Sequence, residues 1–265
     1  MTVLAALVSA VFLPGFVPVS TTAGGGELLS GFFPGAERPG LVYLPPGFTT
    51  ARRYPVVYLL HGMPGSPSEF PDGTGLLDFA GRGTVRPFIA VMPAAGDRPG
   101  YNGEWASRWE NELVNGVVPF VDRNLPTIPT PAGRVLAGLS AGGYGAVDIG
   151  LHHPELFGRI ESWSGYFRPL HDGPFRDAPP SFYEANDPVR DLRALAPKLR
   201  RDRTEFFISS GPSHSHWFKA DESVAFAHEL HALGLPVAFH EYTQARGEWK
   251  TQLAVGLEWA LAAAA

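Results

Sequence analysis

Apolar residues in this chain gather in short unbroken runs, separated by stretches where they recur every three or four positions. Pro55-Val-Val-Tyr-Leu-Leu60, Phe88-Ile-Ala-Val-Met92 and Val135 to Leu139 carry no polar alternation, the mark of strands covered on both faces. Further strands are expected at Leu28–Phe33, Leu41–Leu44, Ile160–Trp163, Phe206–Ser210 and Pro236–Tyr242. Helical spacing intervenes at Leu76–Ala80 and at Asn111–Leu125, where Leu113, Val117, Val118 and Val121 share a face and Pro119 predicts a kink. A small-residue helix carrying Ala146, Val147 and Ile149 runs to His152-His153. Another, capped by Ser223 and ended by Gly234, puts Phe226, Leu230 and Leu233 on one side. The last, Trp249–Ala265, has Leu253, Leu257 and Leu261 on one stripe. Strand and helix alternating to the end predict a doubly wound, mostly parallel sheet of about eight strands with helices on both faces.

Two stretches break the alternation. Gly165 to Leu199 mixes prolines, aromatics and charges without a sustained period, so residues 165–199 read as a cap-like insertion. Residues 1–26 form an apolar N-terminal segment with Pro14 and Pro18 near its end and no Lys or Arg before Arg38. It reads as a signal-like or membrane-proximal tail, or a tail packed on the domain, and favours export or membrane association. The remainder, 27–265, has no internal repeat and fits one domain. A net charge of −5 with no dense Lys/Arg cluster argues against a nucleic-acid partner. The absence of cysteine excludes a thiol nucleophile, disulfides and cysteine zinc sites.

The chemistry centres on Gly138-Leu-Ser140-Ala-Gly142, between the apolar run ending at Leu139 and the small-residue helix. A serine on a sharp strand-to-helix corner takes a strained backbone conformation, and side chains two residues either side would collide. The corner lifts the hydroxyl to the strand's C-terminal end and aims a helix N-terminus at it, where negative charge is favoured. The Ala141 N–H is one donor for an oxyanion. The loop His61-Gly62-Met63 leaves a neighbouring strand and can bring the Met63 N–H to the same point. His61 reads as a turn-shaping residue rather than the base.

Tyr43-Leu-Pro-Pro-Gly47, Leu59-Leu-His-Gly62 and Gly138-Leu-Ser-Ala-Gly-Gly143, in this order and spacing, resemble the esterase D-type α/β-hydrolases. That group includes feruloyl and acetyl-xylan esterases, S-formylglutathione hydrolases and bacterial mycolyltransferases. The resemblance, from about Leu28 onward, implies an α/β-hydrolase fold and an acyl-enzyme on Ser140, with Met63 and Ala141 as oxyanion donors. The family's acid position falls at Gly211-Pro-Ser-His214, and its histidine position at Gly247 in Ala245-Arg-Gly-Glu-Trp249. Both partners of the serine are thus displaced.

Two readings follow. In an exchanged relay, His214 or His216 takes the serine proton and Glu248 orients the imidazole, since such roles are set by geometry and not by chain order. The histidines can equally be polar loop residues. His214-Ser-His216 also has metal-pair spacing, but no carboxylate-rich cluster accompanies it, and neither metal nor cofactor is expected. In the second reading the fold is catalytically inactive and binds a cell-envelope glycan or lipid. Trp105, Trp163, Tyr166 and Trp217 are candidates for substrate binding, suited to a small-molecule, glycan or lipid ester, with some loop aromatics expected to be packing.

Overall fold

The protein is described here by a computed structural model covering residues 13–22, 24–96, 105–171, 175–211, 220–242 and 252–262. Nine strands form one sheet: β1 (Phe16–Thr21), β2 (Glu27–Gly31), β3 (Gly40–Leu44), β4 (Val56–Leu60), β5 (Ile89–Met92), β6 (Arg134–Leu139), β7 (Arg159–Trp163), β8 (Glu205–Ser210) and β9 (Val237–Glu241). Their spatial order is β1-β2-β3-β5-β4-β6-β7-β8-β9. β1, β2, β3 and β5 pair antiparallel in succession, and every pair from β5 through β9 is parallel. All residues of β4 and β6 are buried, as unbroken apolar runs require in a sheet covered twice.

β1 is the strand the apolar pattern did not announce. Leu13 and Phe16 join the core, and the Phe16 ring lies 4.9 Å from that of Phe33. The rest of β1 is exposed, as on an edge strand. Residues 13–21 therefore belong to the domain and not to a separate tail. Among the described residues no helix is long and apolar enough to cross a membrane.

Helices cover both faces. α1 (Leu76–Gly81) and α8 (Gln252–Leu261) pack on one face through Leu76, Phe79, Leu253 and Leu257. The other face receives α2 (Arg108–Asn111), α3 (Val118–Asn124), α4 (Ala141–His152), α6 (Pro188–Asp202) and α7 (Ala220–Ala232), while α5 (Pro180–Ala185) is a short helix ahead of α6. Between α2 and α3, residues Glu112–Val117 form a π-helical segment ending just before Pro119. The kink expected from proline is realised as a widened hydrogen-bond register, which tolerates a residue without an N–H. α7 begins no later than Ala220, so Ser223 lies within the helix, buried, with its hydroxyl donating to the Gly165 carbonyl at 3.5 Å.

α6 occupies the C-terminal part of the stretch expected to be a cap-like insertion, residues 165–199. Pro188 starts it, the Asp187 side chain caps it by accepting the Arg190 N–H, and Leu192, Ala196 and Leu199 face inward against α4 and β8. It is an ordinary crossover helix between β7 and β8. The preceding part, with Tyr166, Phe175 and partly buried Phe182, clusters instead with Ala141 and Met63 beside the end of β6.

Candidate active site

Ser140 sits where β6 turns into α4, with φ 55° and ψ −117°. A non-glycine residue in that region carries about 1–3 kcal/mol of strain and persists only when its surroundings over-determine it. Here the Ser140 N–H donates to the Trp163 carbonyl at 2.9 Å, and the Ser140 carbonyl accepts the Tyr144 N–H at 3.0 Å. The flanking glycines are obligatory for a measurable reason. A Cβ on Gly138 would lie 2.1 Å from the Gly142 carbonyl oxygen, and one on Gly142 would lie 1.8 Å from the Leu60 carbonyl oxygen. Ser140 itself is partly exposed at the edge of a buried strand. Ala141, the first residue of α4, has an N–H without an intrahelical acceptor, at the positive end of the helix dipole.

The loop after β4 lies against this corner. A Cβ built on Gly62 would be 3.3 Å from the Leu139 carbonyl oxygen and 3.5 Å from Ser140 Cβ. His61 is fully buried behind it. Its Nε2 accepts the Ala95 N–H at 3.1 Å, so Nδ1 carries the proton and donates to the Gly62 carbonyl at 3.0 Å. Burial pulls the His61 pKa down to about 4, its bond to the Gly62 backbone opposing and Arg38 adding to the fall. With both ring nitrogens engaged on backbone, His61 shapes the loop and is not a base for Ser140.

Beside the loop is an open groove of about 620 Å³ lined by Arg38, Asp72 and the segment from Pro64 to Glu69. Ser140 is not among its lining residues. Glu69 joins groove and loop: its Oε2 accepts the Gly62 N–H at 2.9 Å. Sequence reasoning did not single out Glu69, because nothing in the spacing of Gly62 and Glu69 reveals a loop that folds back.

The aromatic residues divide. Trp105 and Trp163, expected to line a cleft, are interior residues, each 1% exposed. The Trp105 indole donates to the His61 carbonyl at 2.9 Å and its Cβ fills the space left by Gly145. The Trp163 indole donates to Glu161 Oε2 at 2.9 Å under α8. Both found an internal acceptor for the one polar atom an indole carries, which removes them from a ligand's reach. Tyr166 stacks on Tyr144 with ring centroids 5.1 Å apart, in the cluster that includes Ala141 and Met63. His214, His216, Trp217 and Glu248 lie outside the described residues.

Two further carboxyls are buried without serving Ser140. Burial pushes Glu161 up to about 8 against the lowering effects of Trp163 and Arg159. Burial likewise pushes Asp148, within α4, up to about 8, with His152 opposing. His152 and His153 close α4 and both bond Glu110, at 3.3 and 2.9 Å. They stand a whole helix away from Ser140, about 18 Å along the axis at 1.5 Å per residue. No group of three or more metal-ligating side chains occurs among the described residues.

Known proteins similar to this chain are named as esterases. A 136-residue stretch is 33% identical to an esterase of Mycobacterium tuberculosis strain H37Rv, covering 48% of this chain and 29% of that protein. A 130-residue stretch is 34% identical to an endo-1,4-beta-xylanase/feruloyl esterase of Xylanibacter ruminicola, covering 44% of this chain and 18% of that one. The chain therefore matches less than a third of the length of these relatives. Among solved structures, a ferulic acid esterase superposes with a TM-score of 0.74 at 21% identity, over 89% of this chain and 97% of that one. An S-formylglutathione hydrolase from Agrobacterium tumefaciens superposes with a TM-score of 0.71 at 17% identity, over 92% and 98%. These neighbours carry the α/β-hydrolase fold, and the esterase family model matches residues 33–260. The chain belongs to the esterase family.

Proposed function

We propose that the protein is a carboxylic ester hydrolase in which Ser140 is the nucleophile. The observation that carries this is the backbone of Ser140: a strained φ of 55° at a strand-to-helix corner, between two glycines that admit no Cβ. Backbone strain of this kind gathers at functional sites, and at this corner it goes together with the glycine pair that a nucleophile elbow requires. Attack by Ser140 Oγ on the ester carbonyl would give a tetrahedral oxyanion. The N–H groups of Met63 and Ala141 would be the donors that receive it, one from the loop against Ser140 and one from the first turn of α4. Collapse expels the alcohol and leaves an acyl-enzyme, which water, or a second alcohol in an acyl transfer, then releases. His214 or His216 takes the serine proton in this reading, held by Glu248. Met63, Tyr166 and Phe175 cluster beside Ala141 and supply an apolar wall suited to an acyl group. Small-molecule esters are the substrate class, as the names of the relatives suggest.

The test is turnover of p-nitrophenyl acetate and butyrate, with fluorophosphonate labelling, by wild type, Ser140→Ala, His214→Ala and His216→Ala. Loss of turnover in Ser140→Ala and in one histidine variant is the expected result. An unlabelled Ser140 and no Ser140-dependent turnover would make the inactive, glycan- or lipid-binding reading the correct one.

A further inference from the structure

We propose that Glu69 is a positioning residue for the oxyanion donor, acting through the acceptor it presents to Gly62 and not through its charge. This rests on the reading of Ser140 as nucleophile and Met63 N–H as donor. Two peptide planes meet at Gly62, and among the described residues three of their four polar ends have the following partners. In the plane before Gly62, the His61 carbonyl accepts the Trp105 indole N–H at 2.9 Å, and the Gly62 N–H donates to Glu69 Oε2 at 2.9 Å. In the plane after it, the Gly62 carbonyl accepts the His61 Nδ1–H at 3.0 Å. The fourth end is the Met63 N–H. A trans peptide is planar with its N–H directed opposite to its carbonyl. Holding the Gly62 carbonyl on the buried His61 ring therefore turns the Met63 N–H away from the interior.

Glu69 holds this loop from the side of the open groove. Gly62 brings no Cβ to restrict its torsions, and a Cβ there would crowd Leu139 and Ser140. Without an acceptor for its N–H, the first plane can swing about its Trp105 bond and carry the second with it. The bond also commits the Gly62 N–H, so it does not compete as an oxyanion donor. A carboxylate this close to a developing oxyanion is electrostatically unfavourable. Its presence is explained by geometry, which predicts that an uncharged acceptor of the same length serves as well.

The experiment compares wild type, Glu69→Ala, Glu69→Met and Glu69→Gln in p-nitrophenyl acetate hydrolysis and in the rate of Ser140 labelling by a fluorophosphonate. Glu69→Met keeps the side chain's length should Glu69→Ala fold poorly. Losing a whole oxyanion donor costs about 100- to 1000-fold in kcat, and a misdirected one should cost about 10- to 100-fold. Glu69→Ala and Glu69→Met should show that loss in kcat with KM nearly constant and labelling slowed in parallel, and Glu69→Gln should restore most of it. Variants without acceptor that turn over within twofold of wild type would overturn the proposal, as would a Glu69→Gln as impaired as Glu69→Ala. Hydrogen exchange of the Gly62 amide gives a reading independent of turnover. It should accelerate in Glu69→Ala and stay slow in Glu69→Gln, and an unchanged rate in Glu69→Ala would also overturn the proposal. A wild type lacking Ser140-dependent turnover would refute the hydrolase reading alone.

Discussion

Replacing Gly142 with alanine puts a methyl group 1.8 Å from the Leu60 carbonyl oxygen and 2.8 Å from that of His61. Carbon and oxygen settle at about 3.3 Å, so α4 and β4 would have to separate by ~1.5 Å. Neither is free to move. Leu60 is fully buried in a central strand, and α4 is held close to its surroundings at Gly143 by Ser162 and at Gly145 by Trp105. Alanine gains about 1 kcal/mol in helix propensity over glycine, while overpacking costs about 1–3 kcal/mol and more where the offending atom is backbone. With overpacking at the upper end of that range, the balance is a net loss of about 2 kcal/mol, or roughly 4–8 °C in Tm for a chain of this size. Urea unfolding followed by tryptophan fluorescence measures it, with Gly73→Ala as control because no atom lies within 4 Å of a Cβ there. A Gly142→Ala variant within about 0.5 kcal/mol of that control would refute the claim that the elbow glycines are dictated by contact. Ser140 labelling by a fluorophosphonate should fall in the same variant, since the corner and the His61 loop are displaced together.

Three further outcomes follow from the buried polar groups. The folded chain keeps a proton on Asp148 up to about pH 8, whereas the unfolded chain releases it near the ordinary carboxyl value. Stability should fall as pH rises through that window by up to about 1.4 kcal/mol per unit, and Asp148→Asn should flatten the fall between pH 5 and 7 in urea midpoints. Glu110 is held near 2, against the cost of its burial, by hydrogen bonds from His152 and His153, and those of Glu110 raise His152 to about 9. Its contribution is present above about 4.5 and lost toward pH 2, and that of His152 is present below about 6.5 and lost through pH 9, so Glu110→Gln should cost most, about 1–2 kcal/mol, between pH 5 and 6. His61→Phe should cost about 1–3 kcal/mol in thermal unfolding because the buried Ala95 N–H loses its acceptor, and a stability equal to wild type would contradict the tautomer assigned here.

The parallel half of the sheet was legible because its strands bury both faces and so write themselves as uninterrupted apolar runs. β4, β5, β6 and β8 lie within a residue or two of their expected limits. What the pattern missed failed for identifiable reasons. β1 is an edge strand, with five of its six residues exposed, and has no alternation to announce it. α6 has a proline at its start and another, Pro197, inside, and its Leu192, Ala196 and Leu199 face is diluted by five arginines and lysines. Periodicity is diluted where the polar face is this crowded, and proline reads as a break whether it starts a helix or sits within one. Loop aromatics misled in the opposite direction. Trp105 and Trp163 stand next to polar, glycine-rich sequence, yet they are fully interior because each indole N–H has a buried acceptor.

The same contrast separates the two halves of the candidate site. Ser140 was readable because an elbow needs small residues at fixed offsets along one continuous piece of chain, so steric necessity is printed in the sequence as Gly138 and Gly142. The loop that faces it has no such offset rule. Gly62 is held by Glu69 seven positions later, by Trp105 forty-three positions later acting through the His61 carbonyl, and by the ring of the residue just before it. Each of these side chains has another ordinary explanation when read alone: an acid in a turn, an aromatic in a loop, a histidine beside glycine. Only their convergence on the two peptide planes of Gly62 gives them a common purpose, and convergence is a property of coordinates. It follows that sequence likeness to esterases should identify the proposed nucleophile more reliably than the residues proposed to aim its oxyanion donor. Substitutions at Glu69 and His61 should accordingly change kcat in ways that the motif around Ser140 does not foretell.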